Sequence, residues 1–160
     1  MTAPLIVILM GSRADEAHAR KVAEAAAALG IETVLRVGSA HKTPEHVLAI
    51  LKEYEPSARP LVYITIAGRS NALSGFVDGC VTAPVIACPP PSEAFGGADV
   101  YSSLRMPSGI APAVVLEPTN AALLAAKIFA LSDPALRTRL VEFKGKQVEK
   151  ILQDDGELHG

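Results

Sequence analysis

The fold is decided by Leu5-Ile-Val-Ile-Leu-Met10 together with Gly11-Ser12-Arg13-Ala14-Asp15, which follows it directly. The first six residues are apolar and rich in β-branched side chains, which is typical of a strand buried on both faces of a sheet. The next five predict a turn, and an Ala-rich amphipathic run over 16–29 predicts a helix that Gly30 ends. A buried strand that leads straight into a helix indicates a parallel α/β sheet.

The same alternation continues along the chain. Further strands are predicted at 32–37, 61–67, 85–88 and 113–116, and further helices at 44–54, 72–80, 118–131 and 134–153. Thr43 and Pro44 are start signals for the second helix, and residues 154–160 are expected to fray. We therefore predict one α/β domain over 1–160, a three-layer αβα sandwich around an open parallel sheet of about five strands.

Composition excludes several classes of protein. The 160 residues are 49% hydrophobic and 20% charged, which argues against disorder. A net charge of −2 offers no excess of cations for a phosphate backbone, so no nucleic-acid partner is expected. No run approaches the ~20 apolar residues of a spanning helix, so no membrane partner is expected. The two cysteines, Cys80 and Cys88, are interpreted as core filling, and their small number favours a reducing cytoplasm.

Three polar loops directly follow predicted strands: Gly11–Asp15, Gly38–Lys42 and Gly68–Asn71. In an open parallel sheet, ligands bind beyond the carboxyl ends of the strands, so these loops are expected to converge on one site. A fourth candidate is the donor-rich segment 102–109, whose alternative interpretation is a polar helix end and turn.

The first two loops carry residues suited to an anion and to proton transfer. Unpaired N–H groups at the start of the first helix, with Ser12 and Arg13, form a candidate phosphate site, although Asp15 could simply cap the helix. Neither a dinucleotide fingerprint nor a P-loop is present. His41 is a candidate general acid/base beside the cation of Lys42, and the alternative is an exposed loop histidine.

The third loop supplies a cation, a hydroxyl and an amide from Arg69, Ser70 and Asn71, although such residues are also tolerated in loops without a function. No His or Cys pair has the spacing of a zinc site, so no metal site is predicted. The remaining histidines are interpreted as surface residues: His18, His46 and His159.

Taken together, the loops resemble the signature segments of the 5-aminoimidazole ribonucleotide (AIR) carboxylase family of purine biosynthesis, known as PurE: Gly11-Ser12-x-x-Asp15, Ser39-Ala40-His41-Lys42 and Ala67-Gly68-Arg69-Ser70-Asn71. The resemblance extends from about residue 5 to 131 and includes Cys88-Pro89-Pro90 and the 102–109 segment. It implies a flavodoxin-like fold, AIR as the substrate, no cofactor, and a homo-octamer or, as a smaller alternative, a tetramer.

The family has two classes, and the motifs distinguish them. The class that rearranges N5-carboxyaminoimidazole ribonucleotide, a mutase, carries S-A-H-R and A-G-G-A-A-H-L-P-G. The class that carboxylates AIR directly with CO₂ carries S-A-H-K and A-G-R-S-N. This chain has Lys42 after its histidine, and Ala72 where the mutase has a second histidine. The resemblance therefore implies a direct carboxylase, a carboxy-lyase that forms 4-carboxy-5-aminoimidazole ribonucleotide (CAIR). Ala14 replaces a serine usual in the family, so one hydroxyl donor to the phosphate is lost.

The resemblance also implies a role for each loop. His41 would exchange the proton on C4 of AIR, and Lys42 would assist as a second catalytic residue. Fixed donors, chiefly Ser70 and the 68–71 backbone, would stabilise the developing carboxylate. Whether Lys42 contacts that carboxylate or the phosphate stays open. The complete predicted substrate site is Gly11, Ser12, Arg13, Asp15, Ser39, Ala40, His41, Lys42, Gly68, Arg69, Ser70 and Asn71.

Two other functions stay open at the level of sequence. The first is the mutase reaction, which would need the same His41 but another carboxyl donor. The second is a non-catalytic nucleotide-binding module of the same fold. The 134–153 helix follows an already complete domain, and its apolar positions predict a subunit contact: Leu136, Leu140, Val141, Val148, Ile151 and Leu152.

Overall fold

The computed structural model describes residues 2–159 and contains one five-stranded sheet. The strands are β1 (Leu5–Met10), β2 (Glu32–Val37), β3 (Leu61–Ile66), β4 (Val85–Ala87) and β5 (Ala113–Val114). The helices are α1 (Glu16–Ala28), α2 (Pro44–Tyr54), α3 (Leu73–Asp78), α4 (Tyr101–Leu104), α5 (Pro118–Phe129) and α6 (Pro134–His159). Every strand pair is parallel, in the order β2-β1-β3-β4-β5. The predicted flavodoxin-like αβα sandwich is confirmed.

Strand β1, which lies between β2 and β3, is buried along its whole length, and its alternating side chains contribute to two hydrophobic cores. Ile6, Ile8 and Met10 belong to the core shared with α1, α5 and the start of α6. The opposite side chains of β1 belong to the core shared with α2 and α3. Because both faces of the sheet are covered, the strand ends are where polar residues can meet a ligand.

Element ends differ from the sequence prediction in a few places. The last helix does not fray at 154 but continues to His159, where i,i+4 contacts such as Lys150–Asp154 at 3.0 Å support its final turns. The last strand is shorter than predicted, with Ala113 and Val114 only. Thr43 stands at the start of α2, but its hydroxyl makes no capping bond to that helix.

The final helix is attached to the domain by its first turns only. Leu136 and Leu140 are buried, and Arg139 Nε donates to the carbonyl oxygen of Leu29 at 2.9 Å. The other apolar positions predicted for a subunit contact are exposed: Val141, Val148, Ile151 and Leu152. No helix in residues 2–159 is long and apolar enough to cross a membrane.

Two glycines meet specific backbone requirements. Gly30 ends α1 with a φ of +71°, and the N–H groups of Gly30 and Ile31 bond back to Ala27 and Ala26, which is a Schellman motif. This confirms the C-cap predicted for Gly30. Gly38 lies at the end of β2, where an added Cβ would stand 2.9 Å from Cγ2 of Val47 in α2. The close approach of β2 and α2 therefore needs a glycine.

We predict that Gly38→Ala lowers the free energy of unfolding by about 1–3 kcal/mol, because the new methyl overpacks against Val47. Thermal unfolding measures the effect. The matched control is Gly145→Ala, where nothing lies within 4 Å of the added Cβ and the change adds helix propensity of up to ~1 kcal/mol. Equal melting temperatures for the Gly38 variant and the wild type would contradict the packing described for α2.

Candidate active site

The three loops predicted to converge do so at the carboxyl edge of the sheet. They surround an open cavity of about 440 Å³ that lies beyond β1, β2 and β3. The predicted site residues in its lining are Gly11, Ser12, Asp15, Ser39, Ala40, His41, Lys42, Gly68, Arg69 and Ser70. Arg13 and Asn71 are not part of this lining.

The first loop joins β1 to α1 through a short 3₁₀ turn at 13–15. The Ser12 hydroxyl donates to a carboxylate oxygen of Asp15 at 3.3 Å, and no capping bond from Asp15 into α1 is present. Arg13 is directed outward, with its side chain 87% exposed and its Nε 3.1 Å from Glu16. The position of Arg13 therefore differs from the predicted one, because Glu16 attracts its guanidinium to the outer side of the helix.

The second loop is a tight turn that presents His41. Ser39 N–H donates to the Thr43 hydroxyl at 2.9 Å, and Lys42 N–H donates to the Ser39 hydroxyl at 3.2 Å. The Thr43 hydroxyl, expected to cap α2, instead closes this turn. His41 and Lys42 lie at its tip, exposed and on the cavity lining, where they can reach a ligand.

The third loop is held from behind by α4. Asn71 is buried, its Nδ2 donates to the Ser103 hydroxyl at 2.8 Å, and its Oδ1 accepts the N–H of Ser74 at 3.2 Å. Asn71 was predicted to bind substrate, but its amide is engaged within the protein, so it orders the loop instead. Arg69 and Ser70 stay exposed beside the cavity.

A fourth wall of the cavity comes from the loop after β4, which sequence reasoning left as irregular. Pro90, Ser92 and Asp99 line the cavity, and the Ser92 hydroxyl donates to the Asp99 carboxylate at 2.8 Å. The rule that ligands bind beyond the carboxyl ends of parallel strands could have identified this loop from the sequence. Cys88-Pro89-Pro90 follows β4 as directly as the other loops follow their strands.

The lining of the cavity carries two cationic and two anionic side chains. Lys42 and Arg69 contribute the cations, and Asp15 and Asp99 contribute the carboxylates. Asp15 accepts a hydrogen bond from Ser12, and Asp99 accepts one from Ser92. With the N–H groups at the start of α1, this lining suits a small anion such as a phosphate. His41 also lines the cavity, and its imidazole can act as a general acid or base.

A second cavity of about 490 Å³ adjoins the first and shares part of its wall. Here His18, interpreted from sequence as a surface residue, is half-buried, with its Nε2 3.4 Å from Sγ of Cys88. Burial, aided by the charge of Lys21, lowers the pKa of His18. Burial, aided by the charge of Glu117, raises the pKa of Cys88 to about 12. Cys88 is therefore a protonated core thiol, as predicted, whereas Cys80 is exposed and does not fill the core.

No group of three or more His, Cys, Asp or Glu side chains in residues 2–159 is arranged to hold a metal ion. The absence of a metal requirement stays a prediction, which turnover after dialysis against a chelator can test.

Comparison with known proteins points to one family. A family model described as AIR carboxylase matches residues 5–150. A phosphoribosylaminoimidazole carboxylase of Treponema denticola is 60% identical over 155 residues, which cover 97% of this chain and 98% of that protein. A phosphoribosylaminoimidazole carboxylase of Archaeoglobus fulgidus is 55% identical over 152 residues, covering 95% of this chain and 83% of that protein.

The similarity extends to three-dimensional structure. The crystal structure of Treponema denticola PurE matches with a TM-score of 0.96 at 60% identity, covering 97% of this chain and 98% of that one. Sequence and fold therefore agree over nearly the full length of both proteins.

Proposed function

The chain belongs to the AIR carboxylase family, and from this premise we propose that it is a carboxy-lyase that joins CO₂ to C4 of AIR, forming CAIR for purine biosynthesis. The observation that carries the proposal is the cavity that brings His41 and Lys42, which follow β2, together with Ser70, which follows β3. A proton-transfer group, a cation and hydrogen-bond donors are what this carboxylation needs.

The reaction can proceed without a cofactor because AIR is itself a carbon nucleophile. Its amino group pushes electron density onto C4, which attacks the carbon of CO₂. A C–C bond forms while one C–O π pair moves onto oxygen, so negative charge develops on the new carboxylate. Donors already fixed around that position stabilise the transition state without having to reorganise. Lys42, Ser70 and the backbone N–H groups of residues 68–70 are the groups that we assign to this task.

The first adduct still carries a proton on C4, and its removal restores the aromatic imidazole. We assign the removal to His41, which is at the tip of its turn and on the cavity lining. The proton passes from C4 to the imidazole and then to water. In the reverse direction, the imidazolium protonates C4 of CAIR, and CO₂ leaves.

The remaining lining residues suit the ribosyl phosphate. Ser12 and Asp15 stand at the start of α1 and can meet the ribose hydroxyls, while Ser39 can meet the phosphate. Ala14 also lines the cavity, and its side chain has no hydroxyl. The backbone N–H groups of the first loop must therefore supply more of the hydrogen bonds to the ligand beside the start of α1.

We assign the chain to the direct carboxylase class and not to the mutase. Ala72, which stands where the mutase motif has its second histidine, lines the cavity and has no group that can move a proton. A non-catalytic nucleotide-binding module would not need His41 on the cavity lining. Neither alternative is favoured by the relatives, which are named as carboxylases.

We also propose that the active form is a homo-oligomer, an octamer or a tetramer, in the cytoplasm. Of the six apolar positions of α6 predicted for a subunit contact, four are more than half exposed in the single chain: Val141, Val148, Ile151 and Leu152. The cavity is open to solvent, and His41 is exposed. A neighbouring copy that packs on α6 would bury this apolar area, and a copy that covers the cavity would restrict water at the site.

We predict that His41→Asn folds normally but loses about 10²–10⁴-fold in turnover in both directions, since no other group takes over the proton on C4. Ultraviolet absorbance follows AIR and CAIR, and circular dichroism checks the fold. The matched control is His46→Asn, an exposed histidine on α2 outside the cavity lining, which should keep wild-type turnover. A folded His41→Asn protein with near-normal activity would remove His41 from the mechanism.

We predict that Ile151→Glu combined with Leu152→Glu reduces the assembly to smaller species, because charges would be buried at the subunit contact. Light scattering at micromolar concentration measures the mass. Lys146→Glu, which puts the same side chain on an already exposed polar position of α6, should leave the mass unchanged. A wild-type monomer, or an equal mass for both variants, would contradict the assignment of α6 to the contact.

A further inference from the structure

The backbone of Arg69 has a φ of +58°, in the left-handed region that residues other than glycine rarely adopt. Arg69 is part of the cavity lining, between Gly68 and Ser70. Such a conformation is unfavourable by itself and persists only where the surrounding contacts hold it in place. Contacts from α4 hold this loop in place.

The hydroxyl of Ser102, in α4, forms hydrogen bonds with the backbone of both residues that flank Ser70, which are Arg69 and Asn71. It lies 2.7 Å from the carbonyl oxygen of Asp99 and 3.1 Å from that of Arg69, and its one proton is shared between them. The hydroxyl oxygen also accepts the N–H of Asn71 at 2.9 Å. Ser102 thus binds the peptide group that precedes Ser70 and the one that follows it.

These contacts fix the direction of the Ser70 N–H. In a trans peptide the C=O and N–H bonds point in opposite directions, and no peptide in residues 2–159 is cis. Because the Arg69 carbonyl is turned toward Ser102, the N–H of Ser70 is turned away from it. No acceptor within residues 2–159 binds this N–H. It is therefore a free donor on a residue that borders the cavity.

The neighbouring contacts of the loop have a different role. Asn71 and Ser103 are buried, and their side chains bond to one another at 2.8 Å. This buried pair anchors the loop to α4 and accounts for its stability. Ser102 is only half-buried and is outside the cavity lining, so it cannot touch a ligand in the cavity directly.

We propose that Ser102 is a positioning residue, whose hydroxyl holds the 69–71 backbone so that the Ser70 N–H points at the carboxylate that forms from CO₂. This inference rests on the proposed function, because it assigns Ser102 a task in that reaction. Losing the hydroxyl allows Arg69 to relax toward negative φ, which rotates the Ser70 N–H away while the Asn71–Ser103 anchor keeps the loop attached.

The test compares three substitutions at one position in the full chain. With AIR and CO₂, Ser102→Ala should lower kcat roughly 10- to 100-fold through misalignment, with KM for AIR close to wild type. Ser102→Cys keeps the volume but is a weak donor, so it should resemble Ser102→Ala. Ser102→Thr keeps the hydroxyl and should restore most of kcat. The matched control is Ser132→Ala, which removes a hydroxyl bonded only to the Phe129 carbonyl.

Hydrogen–deuterium exchange gives a readout that does not depend on activity. Exchange in the peptide covering 67–72 should be faster in Ser102→Ala and Ser102→Cys than in Ser102→Thr and the wild type. If Ser102→Ala does not fold, the Cys and Thr variants decide the question in the same way. Unchanged exchange, or kcat near wild type in the Cys variant, would overturn the role of Ser102. An inactive wild type would overturn the proposed function instead.

Discussion

The parallel register of β1 between β2 and β3 is the constraint on which the rest of the structure depends. β1 is buried on both faces, and its neighbours run beside it over all six residues, so the three strands end together. The N–H of Gly38 donates to the carbonyl oxygen of Met10 at 3.0 Å, and the N–H of Gly11 donates to that of Ile66 at 2.8 Å. These bonds tie the first residues of the first two loops to the ends of the neighbouring strands. The site exists because the apolar strand β1 aligns β2 and β3 so that three polar loops begin at the same edge of the sheet.

The parts of the fold that depend on hydrophobic periodicity could be predicted from the sequence. β1, β2 and α2 have the predicted ends because burial on both faces, alternation and a Pro start signal are local properties. Side-chain directions could not be predicted in the same way. Arg13 turns to Glu16, and Asn71 turns inward to Ser103, because partners three and thirty-two residues away decide the orientation. His18 is half-buried because β4 places Cys88 next to α1, which is a tertiary contact.

The loop at 68–71 shows how function and local preference can disagree. Arginine is a poor choice for a left-handed backbone, yet Arg69 adopts one. Its carbonyl oxygen accepts the Ser102 hydroxyl, and Asn71, two residues further on, donates to Ser103. The segment 102–109 looked from sequence like a donor-rich ligand loop or a polar helix end. The structure gives its first two serines a third role, as the support behind the loop that faces the cavity. Binding residues and the residues that orient them therefore come from different parts of the chain.

The central claim is that this chain carboxylates AIR directly, and one assay of the wild-type protein tests it. Initial rates are measured by ultraviolet absorbance with AIR and dissolved CO₂, and in parallel with N5-carboxyaminoimidazole ribonucleotide. The account predicts CAIR formation from AIR at a rate that rises with CO₂ concentration and needs neither ATP nor added metal. Efficient turnover of N5-carboxyaminoimidazole ribonucleotide, with poor turnover of AIR and CO₂, would contradict it.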